Sequence, residues 1–207
     1  FGSLFFIMAI PTKASELAAV NEILASIGQA PVNSIDQTNP DVSIAFDTLL
    51  SVSREIQAEG WSFNKEHHYP LTRDNSNQIA IPDNMIQLDV STKYGAIDAV
   101  RRDGKLYNRN THSYTFEQDL EGDVVWFFDW TDLPIPIQDY ITARASALTS
   151  SRLVGDSNQF GILSNREAKM RASAIEYDCN QGDYTYFGAP DTGNFYTAYQ
   201  PYRALRR

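Results

Sequence analysis

Residues 54–64 read REIQAEGWSFN, and the fold turns on where helical spacing stops inside that stretch. Upstream, Asn39 followed by Pro40 is a helix cap followed by a first-turn proline, and Val42, Phe46, Leu49 and Ile56 then mark one helical face up to Gly60. From Trp61 to about Asp132 the texture changes to prolines, aromatics, β-branched residues and Asn/Asp/Gly turns. The stretch is therefore the seam between a helix and a β block.

On the N-terminal side, Leu17, Val20, Leu24 and Ile27 fall at three- and four-residue steps, with Gly28 and Pro31 as stops, so SELAAVNEILASIG reads as an amphipathic helix paired antiparallel with its successor. Within the β block, RRDGKLY places Asp103-Gly104 where a type I′ hairpin needs two positive-φ residues. RDNSNQIAIP reads as a second hairpin, with Pro70 and Pro82 suited to strand ends or an edge. VVWFF, residues 124–128, reads as a strand buried on both faces. After Pro134 and Pro136, Ile137, Tyr140, Ile141 and Leu148 restore helical spacing. A further helix is expected over about 165–180, its stripe formed by Ala168, Ala172, Ile175 and Cys179. The expected fold is α+β: a helical bundle from 9–60 and 134–182, an inserted, mostly antiparallel β domain over 61–133, and an extended C-terminal arm over 183–207.

Composition narrows the function. The 207 residues carry a formal charge of −9, with a pI near 4.7. A conventional DNA-binding surface would need excess Lys and Arg instead. The single cysteine, Cys179, excludes an intrachain disulfide and a cysteine-based metal site within one chain, and its place on the expected stripe suggests burial. The opening FGSLFFIMAIPT lacks a basic residue before its apolar run and meets Pro11 and Lys13 too soon for a signal peptide. No apolar run reaches the ~18 residues of a membrane span.

Catalytic signatures are sparse. KEHHY sets Glu66, His67 and His68 side by side, but neighbours on a strand point to opposite faces and do not readily share a metal. His112 lies in a polar turn. GDSNQ, 155–159, is similar to the opening of a family of serine hydrolases, yet it follows a helical pattern with no base nearby for Ser157, and it reads as a helix-ending turn. DLEGD, with Asp119, Glu121 and Asp123 alternating, lacks the later ligands of a calcium loop and reads as a solvated acidic turn. No P-loop, HExxH or GxSxG is present. No catalytic residue, metal site or cofactor is expected. One charge feature stands out: residues 110–143 contain no Lys or Arg but hold Glu117, Asp119, Glu121, Asp123, Asp129, Asp132 and Asp139. Such a surface either aids solubility or docks a basic partner.

Read in order, ELAAVNEILASIGQAPVNSI, NPDVSIAFDTLLSVSREIQAEGWSFN, YPL with IAIPDN, GKLYNR, DVVWFFDWTDLP and YITARA resemble the tail tubular protein A family, head-to-tail adaptors of short-tailed podophages. The similarity runs from about Ala9 to Gly188. It implies a virion protein that forms a twelve-fold ring below the portal protein, receives the hexameric nozzle (tail tubular protein B) beneath and tail fibres at the side, and lets DNA leave through the channel without sequence-specific binding. It also implies that copies can stay monomeric until the portal templates the ring, and that no membrane is involved.

By the same resemblance the C-terminal extension reaches the portal, with Phe195, Tyr196, Tyr199 and Tyr202 as anchors and Arg203, Arg206 and Arg207 as charge. The acidic turns with Glu117, Asp119, Glu121 and Asp123 are expected to face nozzle or fibre, and the Trp-rich VVWFFDWTD to be core. Two other readings compete: a tail-associated hydrolase acting on cell-wall or surface polymer, and a monomeric binding module. The resemblance begins just after Met8. That makes the first seven residues an upstream remnant or, alternatively, a small apolar arm of Leu4, Phe5, Phe6 and Ile7 between ring subunits.

Overall fold

The computed structural model describes residues 15–36, 38–91 and 97–182. The N-terminal segment and the whole C-terminal arm lie outside them. Two helices, α1 (Glu16–Ser26) and α2 (Pro40–Gln57), precede five strands, and α3 (Ile135–Leu153) and α4 (Ser157–Gly182) follow. The architecture is α+β with antiparallel pairing throughout.

Local chemistry sets the helix ends. The Ser15 hydroxyl accepts from the Ala18 amide at 3.1 Å, and Gly28, at φ +77°, follows the end of α1. The Asn39 side chain accepts from Asp41 N at 3.0 Å, Pro40 opens α2, and Gly60, again at φ +77°, lies past its end. Val20, Ile23 and Leu24 of α1 pack with Val42, Ala45, Leu49, Val52 and Ile56 of α2 in one apolar core. Each fully buried aliphatic there contributes about 2 kcal/mol. Helix α3 is enclosed around most of its circumference: Ile137, Tyr140 and Ile141 join that core, while Ala143, Ser146, Ala147 and Ser150 are buried as well. Such a helix sits at the centre of a bundle, and α3 packs on α1, α2 and α4.

The strands β1 (Lys65–Leu71), β2 (Met85–Val90) and β5 (Leu120–Trp126) form a sheet of order β1-β5-β2. Its central strand contains the first three residues of the expected apolar run, and Val124, Val125 and Trp126 are all buried, whereas Phe127 and Phe128 lie past the strand end and are half-buried. Pro70 falls on an edge strand, as expected. Strands β3 (Ala99–Arg102) and β4 (Lys105–Asn108) make the expected hairpin, with Asp103 at φ +53° and Gly104 at φ +70°. A second core of Leu71, Ile79, Ile81, Leu106, Phe116, Leu120, Val124 and Trp126 lies on this side.

Four sequence expectations give way. RDNSNQIAIP turns at Asp74–Asn77, but its second arm does not return to its first. Ala80 bridges Lys105, and the Leu106 amide donates to Ile79 O at 2.9 Å, because the open edge of β4 is the available partner. Helix α4 starts at Ser157, inside GDSNQ and directly after Gly155 at φ +70° and Asp156, rather than near 165. Its inward side runs through Leu163, Glu167, Met170 and Ala174, so Ala168, Ala172, Ile175 and Cys179 are exposed. The alanines fitted either side of the helix, and Glu167, bonded to half-buried Arg144, and Arg171, bonded to buried Tyr140, hid the true inner face. Glu121 and Asp123 belong to strand β5, not to a turn.

Candidate interaction surfaces

The seam read from REIQAEGWSFN is a buried hydrogen-bonded joint. Gln57 is 0% exposed; its Nε2 donates to Phe128 O at 3.0 Å and to Ser53 Oγ at 3.1 Å, while its Oε1 accepts from Phe128 N at 2.8 Å. Asn64, 1% exposed, accepts from Trp61 N at 2.9 Å and donates to Gln57 O and Trp126 O, each at 2.8 Å. The Trp61 indole donates to Ile56 O at 2.7 Å. Phe128 packs against both apolar cores. Two amides thus serve the backbone of the strand end that leaves β5, and they tie that strand to the end of α2. Buried polar networks of this kind fix one arrangement because any other leaves a group unpaired.

Sequence reading missed both amides as determinants. One signal was available: Gln57 lies four residues after Ser53 and directly after Ile56, at the edge of the apolar stripe, where a polar residue needs a partner. A second missed pair of groups lies in the bundle. Arg144 reaches Glu55 at 2.7 Å and Glu167 at 3.1 Å, linking α2, α3 and α4. Burial alone would lower the Arg144 guanidinium, but the Glu55 charge and hydrogen bond, with Tyr140 and Glu167, raise it instead. Arg171 donates to Tyr140 Oη at 2.7 Å, and Tyr140 stands edge-on to Trp61 with centroids 6.4 Å apart.

The acidic candidates separate into two places. Glu121 and Asp123 project from alternate positions of β5, hence on one face of the sheet, and Asp89 of β2 is the cross-strand neighbour of Asp123. A bulge in β1 between Glu66 and Tyr69, with His68 at φ +56°, brings both histidines to that face. His67 Nδ1 lies 2.9 Å from Asp123 Oδ2, the His68 amide donates to Asp123 Oδ1 at 3.3 Å, and His68 Nδ1 is 4.0 Å from Glu121. The expectation that adjacent histidines face apart fails here because the bulge breaks the alternation. Burial pushes the Asp123 carboxyl up, but the hydrogen bonds from His67 and the His68 amide, with the His67 and Lys65 charges, outweigh it and hold the group below its ordinary value.

Asp119, just before β5, accepts from the Arg73 amide at 3.0 Å and from its guanidinium at 3.1 Å, and these bonds depress its carboxyl. Glu117 is exposed and lines an open cleft of about 830 Å³ with Arg73, Asn77 and Phe116. Asp119, Glu121 and Asp123 therefore already have partners within the chain, and Glu117 lines a cleft together with Arg73, the partner of Asp119.

Ser157 opens α4 and is exposed; its neighbour Asp156 accepts from Asn158 N at 2.8 Å, and no histidine is bonded to the serine among the described residues. Nor do the described residues include a group of three or more His, Cys, Asp or Glu side chains able to hold a metal. No helix among them is long and apolar enough to cross a membrane. The C-terminal candidates Phe195, Tyr196, Tyr199, Tyr202, Arg203, Arg206 and Arg207 lie outside the described residues. The last described turn of α4 is pinned by Asp178, which accepts from the Ser62 amide at 2.6 Å beside the joint.

The resemblance seen in the sequence is carried by the segments that build this joint and the centre of the bundle: REIQAEGWSFN, DVVWFFDWTDLP and YITARA. Comparison with known proteins agrees. The chain is similar to Tail tubular protein A of Klebsiella phage KP34, 29% identical over 153 residues that cover 69% of this chain and 76% of that protein. The family model described as Tail tubular protein matches residues 17–184, which span every helix and strand of the structure but the first residue of α1. The chain thus belongs to the tail tubular protein family and is a structural component of a phage tail.

Proposed function

We propose that this chain is the head-to-tail adaptor of a short-tailed phage. Twelve copies form a ring between portal and nozzle, tail fibres dock at its side, and DNA passes through its channel during ejection. The observation that carries this reading is the family match over residues 17–184. The charge is compatible with it: at −9 per chain, twelve copies amount to roughly −100, and negative walls let DNA slide instead of bind.

In this reading the C-terminal arm engages the portal through its tyrosines and arginines, and the sheet face with Glu121 and Asp123 meets nozzle or fibre. Removing residues 190–207 should abolish capture of the chain by purified portal protein, and unchanged capture would reject the portal assignment. Glu121→Gln with Asp123→Asn keeps the side-chain shapes and removes two charges; the amide at 123 still accepts from the His68 N–H but turns an NH2 toward His67. That variant should bind nozzle or fibre more weakly and more independently of salt; tail assembly indistinguishable from the parent would reject the docking assignment.

A further inference from the structure

Helix α4 covers one side and leaves the other bare. Ala174 is fully buried on the inward side, whereas Ala168, Ala172, Ile175 and Cys179 are exposed, and Ile162 is 70% exposed on the preceding turns. Among the described residues, seven large apolar side chains stand exposed. Five of them stand close in sequence, Leu153 and Val154 at the end of α3 and Phe160, Ile162 and Ile175 on α4. Scattered exposed apolar residues need no explanation, but a concentration on one helix and the turn before it does. Three small side chains in that row allow another backbone to approach closely.

Charge narrows the occupant. Lys169, exposed on the same outward side, makes no ion pair among the described residues. Helix α2 turns Ile44, Asp47 and Ser51 outward beside half-buried Leu50, and Asp47 is likewise without an ion pair among the described residues. Both α2 and α4 pack on α3 through their inward sides, so their outward faces are two separate surfaces of the bundle. A two-fold contact of α4 with itself would set Lys169 near its own copy. Two different, complementary faces are what a head-to-tail contact requires.

We infer that the outward face of α4 in one copy packs on the outward face of α2 in the next, with Ala168, Ala172 and Ile175 against Ile44 and Leu50 and Lys169 toward Asp47. This inference rests on the ring reading above and names the surfaces that close it. The shorter of the two helices, α2, has 18 residues and is about 27 Å long; with a face roughly 10 Å wide, the contact covers about 270 Å² per copy. That is about a third of what a stable pair buries per partner. The contact is weak in a pair and holds when each copy is gripped by two neighbours.

The native Cys179 makes the test direct. Full-length chain carrying Asp47→Cys and retaining Cys179 is assembled on portal protein and treated with a bis-maleimide long enough to span the ~15 Å that ten helical residues put between Lys169 and Cys179, with the parent chain as control. The expected product is a ladder of covalent oligomers running beyond the dimer for the variant and monomer for the parent. In parallel, Ala172→Arg should lower ring yield about tenfold or more while its thermal melt matches the parent. Asp47→Lys and Lys169→Asp should each lower the yield, and together they should restore it. Rings that form without a ladder and tolerate Ala172→Arg would overturn this contact and leave the ring standing. Covalent dimers of the parent that stop at two would assign α4 to a two-fold contact and overturn it as well. No ring from the parent chain, with or without portal, would remove the ring reading and this inference with it.

Discussion

Replacing Asn64 with alanine tests the joint between helices and strands. The side chain makes three hydrogen bonds at 1% exposure, to Trp61 N, Gln57 O and Trp126 O. Each buried bond contributes about 1 kcal/mol net, and a donor left wholly unpaired adds about 1–2 kcal/mol more. Gln57 O keeps a second donor, the Gly60 amide at 3.3 Å, so only part of that penalty falls on it. The sum is about 3–5 kcal/mol, a large fraction of the 5–15 kcal/mol that holds a typical domain folded. Urea unfolding should be followed by far-ultraviolet circular dichroism, which reports the helices, and by tryptophan fluorescence, which reports Trp61, Trp126 and Trp130 around the joint. The midpoint should drop by the amount that this loss implies, and the two signals should cease to coincide as the cores uncouple. Asn75→Ala, at an exposed turn, should change stability by less than about 0.5 kcal/mol. A loss below about 1 kcal/mol for Asn64→Ala, with coincident transitions, would refute the role given to this amide.

Two further outcomes follow from the sheet. A Cβ at Gly122 would stand 2.5 Å from the Asp89 carbonyl oxygen, a backbone atom that cannot swing away; Gly122→Ala should therefore cost about 2 kcal/mol or more in thermal unfolding, and a neutral result would mean that β2 and β5 are free to separate. Asp123 is held below its ordinary carboxyl value, so its contribution is present above about pH 4, the unfolded value, and is lost as pH falls through the folded one. At neutral pH, Asp123→Asn should lower the melting temperature by about 2 °C, a small effect for a half-exposed pair. The difference should vanish toward pH 3; a gap that widens in acid would reverse the assigned sign.

Much of this fold was written in local chemistry. Asn39-Pro40, Gly28, Gly60 and Asp103-Gly104 each impose a backbone state that few other residues adopt, and the structure places caps, stops and the hairpin turn there. The apolar run at 124–128 read as a buried strand, and its first three residues form one. What escaped depends on partners distant in sequence. The inward face of α4 is set by Arg144, 23 residues away from Glu167, and by Tyr140, 31 residues from Arg171, whereas spacing alone favoured the row of alanines. The β1 bulge that swings His67 and His68 onto Asp123 answers to pairing with β5, some 55 residues on. Gln57 and Asn64 looked like ordinary polar residues because their partners are main-chain groups of Phe128 and Trp126. The resemblance nevertheless lay in those same segments, whose side chains are held by long-range contacts rather than by local propensity.

In the proposed assembly, copies of this chain close a ring at the head-to-tail junction. Electron cryomicroscopy of the chain assembled with its portal protein, with the copy number counted from symmetry-free averages, tests it most directly. Twelve copies around an open channel, one ring per portal, is the predicted result. Isolated copies, an open filament or absence from the portal complex would contradict it.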